Sequence, residues 1–219
     1  RRSSDLDPQV EYFRKGSAAS HLSTAAISPA LLGARHLHAT GIPPALSEAT
    51  RELSCELMTQ MRKAGRSVSF DPNLRPALWA SQPQMIREIN ALAGLADWVL
   101  PGLSEGRLLS GFDDPADIAA FYLDQGAEAV VIKLGPEGAY YRTQLDQGFV
   151  AAVRVDKVVD TVGAGDGFAV GMISALLENL SFPEAVQRGN WIGSRAVQSR
   201  GDMEGDRKST RLNSSHMPH

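Results

Sequence analysis

The sequence has almost no cysteine. Cys55 stands alone among 219 residues, so no disulfide can form within the chain. A reducing compartment suits such a protein, and a cytoplasmic one is expected. An excess of positive charge is also missing: 22 Lys and Arg stand against 25 Asp and Glu, a net charge of −3. Nucleic-acid-binding domains are normally basic, so no nucleic acid partner is expected. No apolar run reaches the roughly 18 residues of a membrane helix. Arg1-Arg2-Ser3-Ser4-Asp5 leads into no apolar segment of the kind a secretory signal needs. A membrane partner is therefore not expected either. A Gly-x-x-x-x-Gly-Lys-Ser/Thr phosphate loop is absent, which excludes the P-loop class. His21, His36 and His38 have no Cys cluster or His-x-x-x-His pair beside them, so metal ligation is not assigned to them.

What remains is ordinary globular composition, 43% hydrophobic and 21% charged. The two ends differ from the middle. Residues 206–219 lack apolar periodicity and read as a disordered polar tail or as translated adapter sequence. Residues 1–6 read as a scar of the same kind, and the absence of an initial Met fits a fragment. Fold reasoning is confined to 7–205, taken as one domain because no long linker or repeat divides it. Within it, strand and helix patterns alternate. Strands are expected at 36–40, 68–70, 98–100 and 129–132, and a hairpin from 139–141 and 149–153. Helices are expected from a Ser47 cap to Ala64, at 84–93, 104–110 and 115–125, and at 164–178 and 183–198. Ala129-Val130-Val131-Ile132 is continuously apolar, as in a strand buried on both faces. The alternation predicts an α/β fold, a mostly parallel sheet flanked by helices. Trp98, Trp191 and Cys55 are expected in the core, and Asn190 on a helix surface or lining a ligand pocket.

The segment with most chemistry is Asp160-Thr161-Val162-Gly163-Ala164-Gly165-Asp166, which runs straight into an apolar helix. The first N–H groups of a helix lack intrahelical acceptors, and the helix dipole favours anions beside them. Glycines there let a phosphate approach the backbone. Asp166 in the first turn could take a proton from an attacking hydroxyl. On residues alone, an equal reading is tight helix packing with Asp166 as a cap.

The whole heptad resembles the signature of the ribokinase-like, or PfkB, sugar kinases. That resemblance implies that Gly163, Ala164 and Gly165 form an anion hole and that Asp166 is the catalytic base. Lys133-Leu134-Gly135-Pro136-Glu137-Gly138 resembles the family's turn against ATP, which implies nucleotide contacts at Lys133, Gly135 and Gly138. Pro101-Gly102-Leu103-Ser104-Glu105 resembles its Asn-x-x-Glu segment, with Gly102 where Asn is usual. Glu105 is thereby implied to help hold Mg2+ through water. Asn190, on the last helix, could line the adenine pocket, with a helix-surface place as the first reading.

Two further segments resemble the 2-keto-3-deoxygluconate kinases within that family. One is Phe70-Asp71-Pro72-Asn73-Leu74-Arg75-Pro76-Ala77-Leu78-Trp79; the other is Tyr12-Phe13-Arg14-Lys15-Gly16. In those kinases the Tyr and Arg of the second segment contact the sugar acid, which implies Tyr12 and Arg14 here. Asn73 and Arg75, two apart on a Pro-stiffened loop, can face one ligand, with Arg75 assigned to the substrate and Asn73 to the nucleotide. An acidic sugar needs cations, and Arg offers a bidentate fork for carboxylate. The resemblance runs from Asp7 to Gly205. The family's first strands and most of its lid are missing from it. The expectation is a kinase using ATP and Mg2+, a homo-oligomer in its full-length form. A neutral-sugar kinase of the fructose or ribose type and a non-catalytic binding fragment are the alternatives.

Overall fold

The computed structural model describes residues 16–198. They divide into two compact units, one ending at Val150 and the other beginning at Ala151.

The first unit carries a sheet whose strands lie side by side in chain order: β1 (His36–Thr40), β2 (Ser67–Asp71), β3 (Trp98–Val99), β4 (Ala129–Lys133), β5 (Gly138–Thr143) and β6 (Gln147–Ala151). β1 to β4 are parallel, and β5 returns antiparallel to β4. Side chains alternate across a strand, so each strand offers two faces. Val68, Phe70, Val99, Val130 and Ile132 share one face and are fully buried against Met58, Met61, Met85, Ile89, Ile118 and Tyr122. Each such side chain contributes about 1.5–3 kcal/mol through burial.

The connecting helices are α1 (Pro29–Leu32), α2 (Pro43–Leu46), α3 (Glu48–Lys63), α4 (Gln82–Ala93), α5 (Leu103–Ser110) and α6 (Pro115–Asp124). Their starts have local causes. Ser47 Oγ accepts from the Thr50 N–H at 3.2 Å and Thr50 Oγ1 from the Ser47 N–H at 3.0 Å, which fixes the entry to α3. Ser81 accepts from the Gln84 N–H, so α4 begins at Gln82, two residues before its expected start. Asp114 caps α6 through the Ala116 N–H at 2.7 Å.

The mostly parallel α/β sheet agrees with the sequence reading, but three local expectations do not. The hairpin closes early: Thr143 N–H donates to the Asp146 carbonyl, and the Leu145 and Asp146 N–H groups donate to Thr143 Oγ1. β6 therefore spans Gln147–Ala151, not 149–153. Trp98 and Trp191 are only half-buried; Trp98 stacks on His36 with ring centroids 5.0 Å apart. Cys55 is exposed, because α3 buries the face holding Thr50, Met58 and Met61 and Cys55 lies to one side of it.

The second unit is built on α7 (Ala164–Leu177) and α8 (Phe182–Ala196). They pack at very short range. A Cβ on Gly171 would lie 2.8 Å from the Arg188 carbonyl oxygen, and one on Gly189 would lie 2.9 Å from the Phe168 ring. Glycine lets the two backbones meet.

Candidate functional site

The second unit holds the glycine turn of the 160–166 heptad, the segment expected to receive phosphate. Gly163 precedes α7 with φ +79°, the left-handed region that glycine enters at no steric cost. This turn breaks the chain direction, so the helix starts at Ala164 with no side chain capping it. Ala164 N–H reaches back to the Thr161 carbonyl at 3.4 Å, and Gly167 N–H donates to the Gly163 carbonyl at 2.8 Å. Between them, the N–H groups of Gly165 and Asp166 have no acceptor among the described residues. Two open donors and the positive end of a 14-residue helix make a place for an anion. Asp166 is in that first turn and its side chain is exposed. A carboxylate there is reachable by a substrate hydroxyl.

The α7 start is held from behind by α8. A Cβ on Gly193 would lie 3.1 Å from the Ala164 carbonyl oxygen, so the close crossing extends to the helix entrance. Asn190 is buried on α8, and its side-chain amide donates to the Ala151 carbonyl at 3.1 Å. A helix-surface place for Asn190 is thus corrected. The sequence reading missed the packing device. Its signal is Gly-x-x-x-Gly on both helices, at Gly167 and Gly171 and at Gly189 and Gly193.

In the first unit the loops after β2, β3 and β4 leave the same, C-terminal edge of the sheet, where ligands of parallel α/β sheets bind. Asn73, Arg75, Glu105, Lys133, Gly135 and Gly138 all lie on these loops or their ends. Asn73 is held with φ +39°, a strained value that Asn tolerates better than most residues. Its N–H donates to Asp71 Oδ1 at 3.2 Å. Arg75 Nη1 donates to the carbonyls of Asn73 and Leu74 at 3.2 and 2.8 Å, which fixes the guanidinium against its own loop. Glu105 Oε2 accepts from the Gly102 N–H and Oε1 from the Leu74 N–H, both at 2.8 Å. The Glu105 carboxylate therefore caps α5 and ties it to the 73–75 loop. Lys133 Nζ donates to Asp71 Oδ2. Gly135 and Gly138 have φ of +61° and +120°, and the Leu134 N–H closes the turn on the Gly138 carbonyl at 2.8 Å. Tyr12 and Arg14 lie outside the described residues. Among the described residues no helix is long and apolar enough to cross a membrane.

The model of the pfkB family of carbohydrate kinases matches residues 9–209. A 2-dehydro-3-deoxygluconokinase of Bacillus subtilis is 56% identical over 200 residues, covering 91% of this chain. The chain spans only 62% of that relative's length. A PfkB protein from Polaromonas sp. JS666 superimposes with a TM-score of 0.82 at 58% identity, over 88% of this chain and 64% of that one. An Escherichia coli protein solved in complex with ATP and Mg2+ gives 0.76 at 30% identity, over 84% and 59%.

Proposed function

The chain belongs to the pfkB family of carbohydrate kinases, and on that basis we propose that its full-length gene product transfers the γ-phosphoryl group of ATP to the 6-hydroxyl of 2-keto-3-deoxygluconate. The observation that carries this reading is the uncapped start of α7, with two open N–H donors beside the exposed Asp166. The 56% identity to a kinase of that sugar acid supports the choice of substrate.

Phosphoryl transfer asks a protein for position and charge stabilisation. The Gly165 and Asp166 N–H groups receive the equatorial oxygens of the moving phosphoryl group. They are fixed before the reaction begins and need no reorganisation during it. Asp166 accepts the proton of the attacking hydroxyl as its oxygen bonds to phosphorus and the bond to the ADP oxygen breaks. Arg75 and Arg14 are assigned to the sugar acid's negative charge. The tether of Arg75 to its own loop carbonyls holds one guanidinium edge and so orients the rest. Gly135 and Gly138 are assigned to the turn against the nucleotide, and Asn73 and Lys133 of the same unit to nucleotide contacts; Asn190, in the other unit, is assigned to the nucleotide separately.

Among the described residues no three carboxylate, imidazole or thiol groups cluster as a protein-only metal site. Each Glu105 oxygen accepts one N–H bond, which leaves lone pairs for water. That fits Mg2+, which keeps several waters and rides on substrate phosphates with one or two carboxylates. Glu105 would reach it through water, and the ion would offset the phosphate charge.

The test is Asp166→Asn in the full-length gene product. ATP affinity should hold while turnover falls by about 10²–10⁴-fold, the usual share of a general base. Near-normal turnover removes Asp166 from the mechanism. 2-Keto-3-deoxygluconate and fructose are compared side by side, and a preference for fructose overturns the sugar-acid assignment.

A further inference from the structure

We infer that Asp71 is a positioning residue that couples the 73–75 loop to the 133–138 turn through Lys133. The inference rests on the proposed function only in placing Arg75 of the first segment at the sugar acid and the second segment at the nucleotide. Register brings the pair together. Ser69 is level with Trp98 and Trp98 with Ala129, so Asp71 and Lys133 stand on the same face of the sheet, at the ends of β2 and β4. β3 lies between them. Neighbouring strands are about 4.8 Å apart, so the lateral gap is about twice that, and Lys133 lies two residues further along than the position level with Asp71; the long lysine stem reaches back across the end of β3 to close it.

The Asp71 carboxylate has two jobs. Oδ2 accepts from Lys133 Nζ, and Oδ1 accepts from the N–H of Asn73, whose backbone is in the left-handed region. The Asp71 side chain is only 3% exposed and that of Lys133 17%, so water cannot replace either partner well. Lys133 is pinned at its backbone as well, with its N–H donating to the Pro101 carbonyl at 2.8 Å. A single carboxylate thus sets the strained turn of one loop and the root of the other. The Lys133 ammonium is held by Asp71, so Lys133 serves the nucleotide turn through its placement.

Lys133→Met, with Lys133→Arg as the conservative control, tests this in two ways. Amide hydrogen exchange of the 219-residue chain needs no turnover. Exchange of the Asn73 and Leu74 amides should accelerate at least tenfold in Lys133→Met, some 60 residues away in sequence, with α4 and β1 unchanged and Lys133→Arg close to wild type. In the full-length gene product, Lys133→Met should raise the KM for the sugar acid at least fivefold as well as that for ATP. Unchanged exchange at 73 and 74, or acceleration spread evenly over the sheet, overturns the coupling. So does a KM effect confined to ATP. Should Lys133→Met not fold, Asp71→Asn is read in the same way, since it breaks the ion pair and keeps an oxygen for the Asn73 N–H. A gene product that phosphorylates no sugar acid refutes the proposed function and leaves the exchange result standing.

Discussion

Two glycines four residues apart on α7 should respond to the same substitution with opposite signs. Alanine in place of glycine inside a helix gains about 1 kcal/mol of helix propensity. At Gly167 the added Cβ would meet Ala196 and Ile192 atoms at 3.5 Å, an ordinary contact. Gly167→Ala should therefore be neutral or stabilising by up to about 1 kcal/mol. At Gly171 the same carbon would lie 2.8 Å from the Arg188 carbonyl oxygen and 3.0 Å from the Gly189 Cα. These are backbone atoms, with no rotamer to turn aside, so α8 itself must move. Overpacking of that kind costs about 1–3 kcal/mol, and the lost contacts along the crossing add to it. After the propensity gain, Gly171→Ala should be destabilising by about 1–2 kcal/mol. Urea unfolding with tryptophan fluorescence reads both, since Trp191 sits on α8. With a slope near 2 kcal/mol/M, the midpoints should move about 0.5 M up at most for Gly167→Ala and about 0.5–1 M down for Gly171→Ala. Equal shifts of the same sign would refute the claim that backbone contact at Gly171 sets the helix distance.

Burial, and then the neighbouring His38, hold the His36 imidazole down from 6.5 to about 4. The unfolded chain then binds the proton first, so stability is full at pH 7 and is lost as pH falls from 6.5 towards 4. Discounted for the half-exposed ring, the loss should be about 1 kcal/mol by pH 5. His36→Gln should flatten the urea midpoint between pH 7 and 5, and an unchanged slope would rule His36 out. Cys55, exposed on α3, should react with an aromatic disulfide reagent in buffer as fast as in urea; protection of more than tenfold would contradict its placement.

The architecture was legible in the sequence wherever local chemistry and periodicity agreed. The apolar run at 129–132 became a strand with both faces buried, and Ser47 capped α3 as its position suggested. The heptad at 160–166 likewise became a glycine turn into a helix, because the φ of Gly163 is a local property. What escaped was tertiary. Nothing near Cys55 says which side of α3 faces the core. Nothing near Glu105 says that its second oxygen will be taken by Leu74, 31 residues earlier. The Asp71–Lys133 pair joins positions 62 apart, a distance over which a single sequence carries no pairing signal. The early closure of the hairpin turned on the Thr143 hydroxyl, a side chain outside the alternation that placed the strands.

The sheet order, β1 to β6 in the order of the chain, has a consequence for how the protein is made. Every strand's earlier partner has already left the ribosome when that strand emerges. Among the described strands none waits for a later segment, so the loops to be closed between them stay about 30 residues long and loop-closure entropy is kept small. From β1 onward the described strands can add one at a time, each burying fresh apolar surface against the strand before it. The α7–α8 pair, joined by only a few residues, can then fold as a unit by itself. Such an order leaves few long-lived open edges during synthesis, which is when a nascent α/β chain is most exposed to aggregation.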